Sequence, residues 1–249
     1  MKTLTLTAKD VPEVGVEVDG LTPDAVAGKT IKQVRELVVY AGRNKLKAGD
    51  VFEVSGESAK KTEEQEIVFA KSTLKIKRIG ENMSAGQISV EGDAGYHLGE
   101  YMSGGRIIVS GNAASWIGTC MSGGEIVVSG NAGSYVGASS RGLSQGVSGG
   151  KITVKGNAGT QVGVGLAGGE LVIGGVVNDF LGSYMRGGKI SAGGLDGRVG
   201  YAMSGGEITV DDKSAKPPLY FTKKSGGEKY ATFEGDASFS GKGVLRIRR

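Results

Sequence analysis

From residue 85 onward, branched apolar residues come in pairs two positions apart, at nearly constant intervals. Each pair follows a small-residue marker, the second residue of a Gly-Gly (once Ala-Gly) dipeptide: Gly86, Gly105, Gly124, Gly150, Gly169, Gly188 and Gly206. The spacings are 19, 19, 26, 19, 19 and 18 residues. Positions plus two and plus four hold Ile88/Val90, Ile107/Val109, Ile126/Val128, Ile152/Val154, Leu171/Ile173, Ile190/Ala192 and Ile208/Val210. Apolar residues at period two predict a short strand with one buried face. At plus six a second glycine recurs, Gly92, Gly111, Gly130, Gly156, Gly175 and Gly194, and the two glycine series mark the corners of the repeat. A further apolar series (Leu98, Ile117, Val136, Val162, Leu181) and a small-residue series (Ala94, Ala113, Ala132, Ala158) lie between the corners.

A unit of 19 residues cannot bury its own apolar face, but stacked copies can, because like side chains then pile on like across parallel strands about 4.8 Å apart. The expected fold is all-β, a right-handed parallel β-helix of about seven coils, the hand following from parallel crossovers. Met83, Met102, Met121, Met185 and Met203 sit three residues before a marker, with Val147 and Leu166 in the other two copies, which predicts one more core column filled by flexible side chains. Residues 1–80 lack the period and read as a small mixed cap lobe. They hold a strand near residues 2–7, a short helix opened by a Thr30-x-x-Gln33 capping box, and a hairpin through Gly49-Asp50 into residues 51–54. Residues 73–78 alternate and are expected to lead into the first coil of the repeats, residues 81–212. Pro217-Pro218 breaks the pattern, and residues 213–249 form a basic C-terminal cap or docking tail.

Composition narrows the chemistry. Of 249 residues 46 are Gly and 4 are Pro, but no every-third-Gly period exists, so collagen is excluded. The net charge of +4 is uneven: residues 211–249 carry 9 basic and 5 acidic side chains, against 7 and 8 in residues 83–210. That is too dilute for the basic, aromatic-studded stripe of a nucleic-acid binder. The first ten residues have no signal-peptide apolar region, the apolar runs fall short of the ~20 residues a membrane span needs, and a cytoplasmic protein is expected. One His and one Cys supply neither a usual zinc site nor an iron–sulfur cluster, so no cofactor, metal or catalytic residue is assigned to this chain.

Other candidates are weighed by offset. No Gly-x-x-x-x-Gly-Lys-Ser/Thr string occurs. His97 at plus eleven and Cys120 at plus fifteen do not stack directly, which speaks against a Cys/His dyad. Asp93, Asn112, Asn131 and Asn157 share plus seven and predict a side-chain hydrogen-bond ladder at a corner, helped by the tolerance of Asn for left-handed backbone. The 26-residue spacing holds an insertion within residues 138–146, a loop on one face of the stack whose one charge is Arg141. Arg141 and Trp116 are the candidate partner contacts, Trp116 being either an exposed anchor or a half-buried wall residue.

The thirteen-residue core Gly-x-x-Met-x-x-Gly-x-Ile-x-Val-x-Gly, present at 80–92, 99–111 and 118–130 and, with Leu166 for Met in one copy, at 163–175 and 182–194, resembles the repeat of the C subunit of formylmethanofuran dehydrogenase. The segments Phe52-Glu53-Val54-Ser55-Gly56, Lys77-Arg78-Ile79-Gly80 and Gly137-Ala138-Ser139-Ser140-Arg141-Gly142, the last running into Val147-Ser148-Gly149-Gly150, resemble it too. The β-helix domain of glutamate synthase has a similar repeat. The resemblance implies a non-catalytic scaffold within a complex that reduces CO2 and formylates methanofuran. Its tungsten or molybdenum pterin, iron–sulfur clusters and binuclear metal site would lie on partner subunits, one formate dehydrogenase-like and one amidohydrolase-like. The alternatives are the C subunit of a bacterial formyltransferase/hydrolase complex and a β-helix subunit of a glutamate synthase.

Overall fold

The computed structural model describes all 249 residues, the side chain of Ser225 excepted. It is built mainly of strand, with three helices of four or five residues confined to the N-terminal part. That part holds β1 (Lys2–Ala8), β2 (Val16–Glu17), α1 (Pro23–Val26), α2 (Ile31–Arg35), β3 (Val38–Ala41), β4 (Asn44–Lys47), α3 (Ala48–Val51), β5 (Phe52–Gly56), β6 (Gln65–Ser72) and β7 (Ile76–Lys77). The repeats give one strand each: β8 (Gln87–Gly92), β9 (Arg106–Val109), β10 (Glu125–Val128), β11 (Lys151–Val154), β12 (Glu170–Val177), β13 (Lys189–Leu195) and β14 (Glu207–Val210). The chain ends with β15 (Thr222–Gly226), β16 (Tyr230–Gly235) and β17 (Gly243–Arg248).

Thirteen of these strands form one sheet, in the order β15-β16-β17-β14-β13-β12-β11-β10-β9-β8-β6-β1-β5. From β1 to β17 every pairing is parallel; only β5 at one end and the β15/β16 hairpin at the other run antiparallel. Register is like on like: Ile88, Ile107, Ile126, Ile152, Leu171, Ile190 and Ile208 are successive partners. These residues are buried, as are their plus-four partners, the Met83 to Met203 column with Val147 and Leu166, and the Leu98 to Leu181 series. The position between the buried pair faces outward even where it holds Ile108, Val127 or Val172. A second parallel ladder links Ala94, Ala113, Ala132, Ala158 and Val177.

The two glycine series do different things. The markers take positive φ, 79° at Gly86 and 77° at Gly105, and a Cβ on Gly105 would lie 2.5 Å from Met83 Cε in the core. At plus six the requirement is closeness: a Cβ on Gly111 would lie 2.4 Å from Asp93 Oδ1, the acceptor that holds the corner.

Three local expectations are corrected. Gly49-Asp50 lies inside α3, where Asp50 caps Lys47 N–H; the hairpin is one turn earlier, β3/β4 across Gly42-Arg43, and β5 pairs with β1. Residues 73–78 shrink to the two-residue β7 because Leu74 and Lys75 turn; the strand stacked on β8 is β6, with Ile67 against Ile88 and Phe69 against Val90. The Thr30/Gln33 capping box is present and opens α2. Finally, the Asn column is a ladder from side chain to backbone: Asn112 N–H donates to Asp93 Oδ1 (2.7 Å), Asn131 N–H to Asn112 Oδ1 (2.9 Å), Asn157 N–H to Asn131 Oδ1 (2.8 Å) and Val176 N–H to Asn157 Oδ1 (2.8 Å). None of its members is left-handed.

Candidate functional site

Left-handed backbone at non-glycine residues is uncommon and costs about 1–2 kcal/mol per residue. Here it is concentrated in two rows. The first, at plus eleven, is Arg78, His97, Trp116, Tyr135, Gln161 and Phe180, with φ between 54° and 69°. The second, at plus fifteen, is Asn82, Tyr101, Cys120, Tyr184 and, after the shorter spacing, Ala202, with φ of 55–57°. The conformation aims each N–H along the stack: His97 N–H donates to Ser115 O, Trp116 to Ser134 O and Tyr135 to Thr160 O, while Tyr101 donates to Thr119 O and Tyr184 to Tyr201 O. One hydrogen bond per corner, repeated, holds the strained backbone in place.

Between the rows the plus-fourteen residues form the floor of a groove: Glu100, Thr119, Ala138, Val164 and Ser183. Buried Thr119 Oγ1 and Ser183 Oγ have no hydrogen-bond partner. Glu100 is 5% exposed. Its Oε2 accepts from Arg78 Nη1 at 3.3 Å and lies 2.8 Å from His97 Nδ1, outside hydrogen-bond geometry. Arg78 also reaches Glu81 Oε2 (2.7 Å) and Glu17 Oε2 (3.4 Å). Burial works against the Arg78 charge, but Glu81, Glu17 and Glu100 raise its pKa above the usual guanidinium value. This cluster ties β2 to the first repeats.

The first wall is a stack of rings. Trp116 and Tyr135 lie parallel with centroids 4.0 Å apart, His97 stacks on Trp116 at 6.1 Å, Tyr135 Oη accepts from Gln161 Nε2 at 3.2 Å, and Arg198 sits 3.6 Å above Phe180. Trp116 is therefore a half-buried wall residue. Arg141 is exposed on the insertion loop and, with Ser140, faces His97 and Trp116 across a pocket of about 270 Å³. Of the thirteen corner glycines named from the sequence, the seven markers each stand directly before a repeat strand, while the plus-six glycines fall at or just past a strand end, except Gly175 and Gly194, which lie within β12 and β13.

Cys120 anchors that loop. Its Sγ accepts from Ser140 N–H at 3.4 Å and donates to Gln145 O at 3.6 Å. Burial pushes the thiol above its usual pKa and the Glu100 charge adds to the rise, against the Ser140 hydrogen bond. A protonated, loop-bonded thiol is a poor nucleophile. Among the described residues no three His, Cys, Asp or Glu side chains converge to hold a metal ion, and no helix is long and apolar enough to cross a membrane. What the groove offers is shape and ring faces, its two unpaired hydroxyls being buried beneath them. The offsets of His97 and Cys120 are legible in the sequence, but the left-handed backbone of the two rows and the floor between them are not, although a signal is there, large side chains recurring at plus eleven where a corner would ordinarily require glycine.

No family model matches the chain. Over 98 residues it is 44% identical to the C subunit of the tungsten-containing formylmethanofuran dehydrogenase 2 of Methanothermobacter thermautotrophicus (39% of this chain, 36% of that protein). Over the same length it is 40% identical to the C subunit of the molybdenum-containing enzyme 1 of Methanosarcina barkeri (39% and 33%) and 34% identical to the C subunit of the formyltransferase/hydrolase complex of Methylorubrum extorquens (39% and 34%). The resemblance drawn from the repeat motifs therefore holds, and the matched part spans about a third of the length of these relatives. The fold is similar over nearly its full length to a chain in the crystal structure of the formyltransferase/hydrolase complex of Methylorubrum extorquens with methylofuran: TM-score 0.86, 25% identity, 98% of this chain and 99% of that one.

Proposed function

We propose that this chain is a non-catalytic scaffold subunit of a formylmethanofuran dehydrogenase assembly, which reduces CO2 and transfers the formyl group to methanofuran, or runs the reverse oxidation. The observation that carries it is the likeness, end to end, to a chain of a multi-subunit complex. The identity to formylmethanofuran dehydrogenase C subunits and a groove suited to contact support it. In this proposal the parallel repeats wind as a right-handed β-helix of about seven coils. Residues 1–80 cap one end, residues 81–212 make the coils with their glycine corners, and residues 213–249 close or dock the other. Trp116 and Arg141 touch a partner. The tungsten or molybdenum pterin, the iron–sulfur clusters and the binuclear metal site belong to a formate dehydrogenase-like and an amidohydrolase-like subunit, and the assembly works in the cytoplasm.

The full chain, purified under native conditions from its source, is expected to elute with both subunit types and with pterin-bound tungsten or molybdenum. A solitary monomer overturns the proposal. The 34% identity and the fold likeness to the formyltransferase/hydrolase complex favour a second assignment, the C subunit of such a complex. That one predicts co-elution with the amidohydrolase-like subunit, formyl hydrolysis, and no pterin metal. A glutamate synthase β-helix subunit would instead bring flavin-containing partners.

A further inference from the structure

The insertion loop is a fastened turn that presents one arginine. Leu143 N–H donates to Ser140 O at 3.0 Å, closing a four-residue turn with Arg141 and Gly142 at its tip. Gly142 takes φ 82°, as the third residue of a type II turn does, and a Cβ there would meet nothing within 4 Å, so backbone angle and not space asks for glycine. The base of the loop is tied to the repeats on both sides. Cys120 Sγ bonds Ser140 N–H and Gln145 O, Ser139 N–H donates to Val164 O at 3.0 Å, and Gly146 N–H donates to Gly165 O at 2.9 Å. From one repeat further on, Arg186 Nη2 donates to Ser144 O.

Charge on this side of the stack is sparse, and once the pairs are removed it has one sign. Between each member of the Ala94 series and the next marker (residues 94–105, 113–124, 132–150, 158–169 and 177–188) the charged side chains are Glu100, Arg141, Asp179 and Arg186, beside the single histidine, His97. Glu100 is buried against Arg78 and His97, and Asp179 is bound by Arg198. That leaves Arg141 at the loop tip and Arg186 at its flank. Both are exposed, and among the described residues neither forms an ion pair. Arg141 faces His97 and the Trp116 ring, itself stacked on Tyr135, across the pocket of about 270 Å³. Arg, Trp and Tyr are the side chains that carry most of the binding energy at interfaces, and an arginine presented by a fixed turn loses less freedom on binding than one on a mobile loop.

A surface that covers this face has to bring negative charge. An uncharged or cationic one would desolvate two guanidinium groups with nothing to offset the cost, whereas a carboxylate meets a planar guanidinium with two parallel hydrogen bonds. A second copy of this chain is a poor occupant, because a twofold contact sets the same patch against itself and brings cation to cation. We propose that the face built by Arg141, Arg186 and the Trp116 ring docks an acidic stretch of a partner subunit, one Asp or Glu of which enters the pocket and pairs with Arg141. The inference rests on the subunit role and on the Trp116 and Arg141 contact proposed above, and adds the charge of the surface they meet.

The test is made on the full chain expressed in its native host. Arg141→Lys places an amine at the loop tip, and a carbodiimide added to the purified assembly condenses that amine with a touching carboxylate, the carbodiimide taking up the water lost. Mass spectrometry is expected to find position 141 joined to an Asp or Glu of one co-purifying subunit. Arg141→Glu should lower the amount of that subunit retained at low salt by about tenfold or more, while Arg141→Lys keeps most of it. The yield of soluble chain should be unchanged in both, because the Arg141 side chain is exposed and makes no ion pair within the chain. If wild type keeps its partners and Arg141→Glu keeps them equally, or if position 141 couples only within the chain, to a second copy or to nothing, the acidic docking face is overturned and the subunit role stands. Release of the partner by nuclease would assign the two arginines to a nucleic acid and overturn it as well. If wild type recovers no partner, the subunit role itself falls, and this inference with it.

Discussion

The inner column and the outer edge of one repeat obey opposite rules. Inside, the side chain is constant and fully buried: Ile or Leu at plus two, Met, Val or Leu three residues before the marker. At the edge, the backbone is constant and the side chain is not: Arg, His, Trp, Tyr, Gln and Phe share one left-handed conformation at plus eleven. The cause is that stacking fixes different things in the two places. A column of buried side chains has to interdigitate with its own copies, so identity is selected. A corner is held by one N–H to the next repeat's carbonyl, so only φ and ψ are selected and the side chain is free to serve recognition.

That contrast breaks most violently where inside and edge meet. Gly118 has φ 60°, and a Cβ there would lie 2.3 Å from Ile152 Cδ1, a buried atom with nowhere to go. Gly118→Val should cost on the order of 4 kcal/mol or more, from left-handed strain at a β-branched residue plus overpacking, and should leave little folded protein in a urea titration. At Trp116, two residues earlier and equally left-handed, Trp116→Gly loses ring stacking but no backbone fit, and a far smaller change is expected.

The inside rule is sharpened by truncation. Met121→Ala removes a fully buried side chain from the methionine column and should cost about 2–4 kcal/mol by the same titration, as a cavity flanked by Met102 and Val147. Tyr101→Ala, at an exposed edge position, should stay within about 0.5 kcal/mol. Equal losses at the two sites would mean that the edge is part of the core.

This split also explains what can be read without coordinates. Burial at plus two and plus four, like-on-like pairing and the methionine column follow from spacing alone, because a repeat that must stack leaves its period in the sequence. The N-terminal part has no second copy to compare with, so α3 reads as a turn at Gly49-Asp50, and β6 escapes notice because Gln65 stands where the glycine marker would be. The C-terminal strand hides for the same reason: Leu245 and Ile247 keep the plus-two and plus-four offsets from Gly243, but 37 residues separate Gly243 from Gly206. The groove is harder to read because its left-handed corners carry varied side chains, and only the plus-thirteen glycines between the rows, such as Gly99 and Gly118, mark the turn.

A weaker rule governs the outer sheet face. Plus-one residues in register alternate in sign, Arg106, Glu125, Lys151, Glu170, Lys189 and Glu207, with Arg106 Nε 2.9 Å from Glu125 Oε2 and Lys151 Nζ 3.1 Å from Glu170 Oε2. Parallel stacking would otherwise set like charges about 4.8 Å apart. Lys151→Glu puts three carboxylates in a row and should cost about 0.5–1 kcal/mol at low salt. The loss should shrink as salt rises past ~0.15 M, where the screening length is about 8 Å. A loss insensitive to salt would trace to packing instead.

The smallest expected effect tests the edge itself. Asp179 accepts from Arg198 Nε, Nη2 and backbone N–H, and the Arg198 side-chain hydrogen bond holds its carboxyl well below the ordinary 3.8. Because the folded value is the lower one, the pair stabilises the fold above the unfolded pKa, and the contribution disappears as pH falls through the folded value. Asp179→Asn keeps an acceptor oxygen but no titrating charge. Its melting temperature should sit slightly below wild type at neutral pH, and the gap should close as pH drops from about 4 toward 2. The pair is solvent-exposed, so the gap should be small. A gap that persists at low pH would show that the carboxylate's role is steric, and that Arg198 is kept over Phe180 by the ring face rather than by the charge beside it.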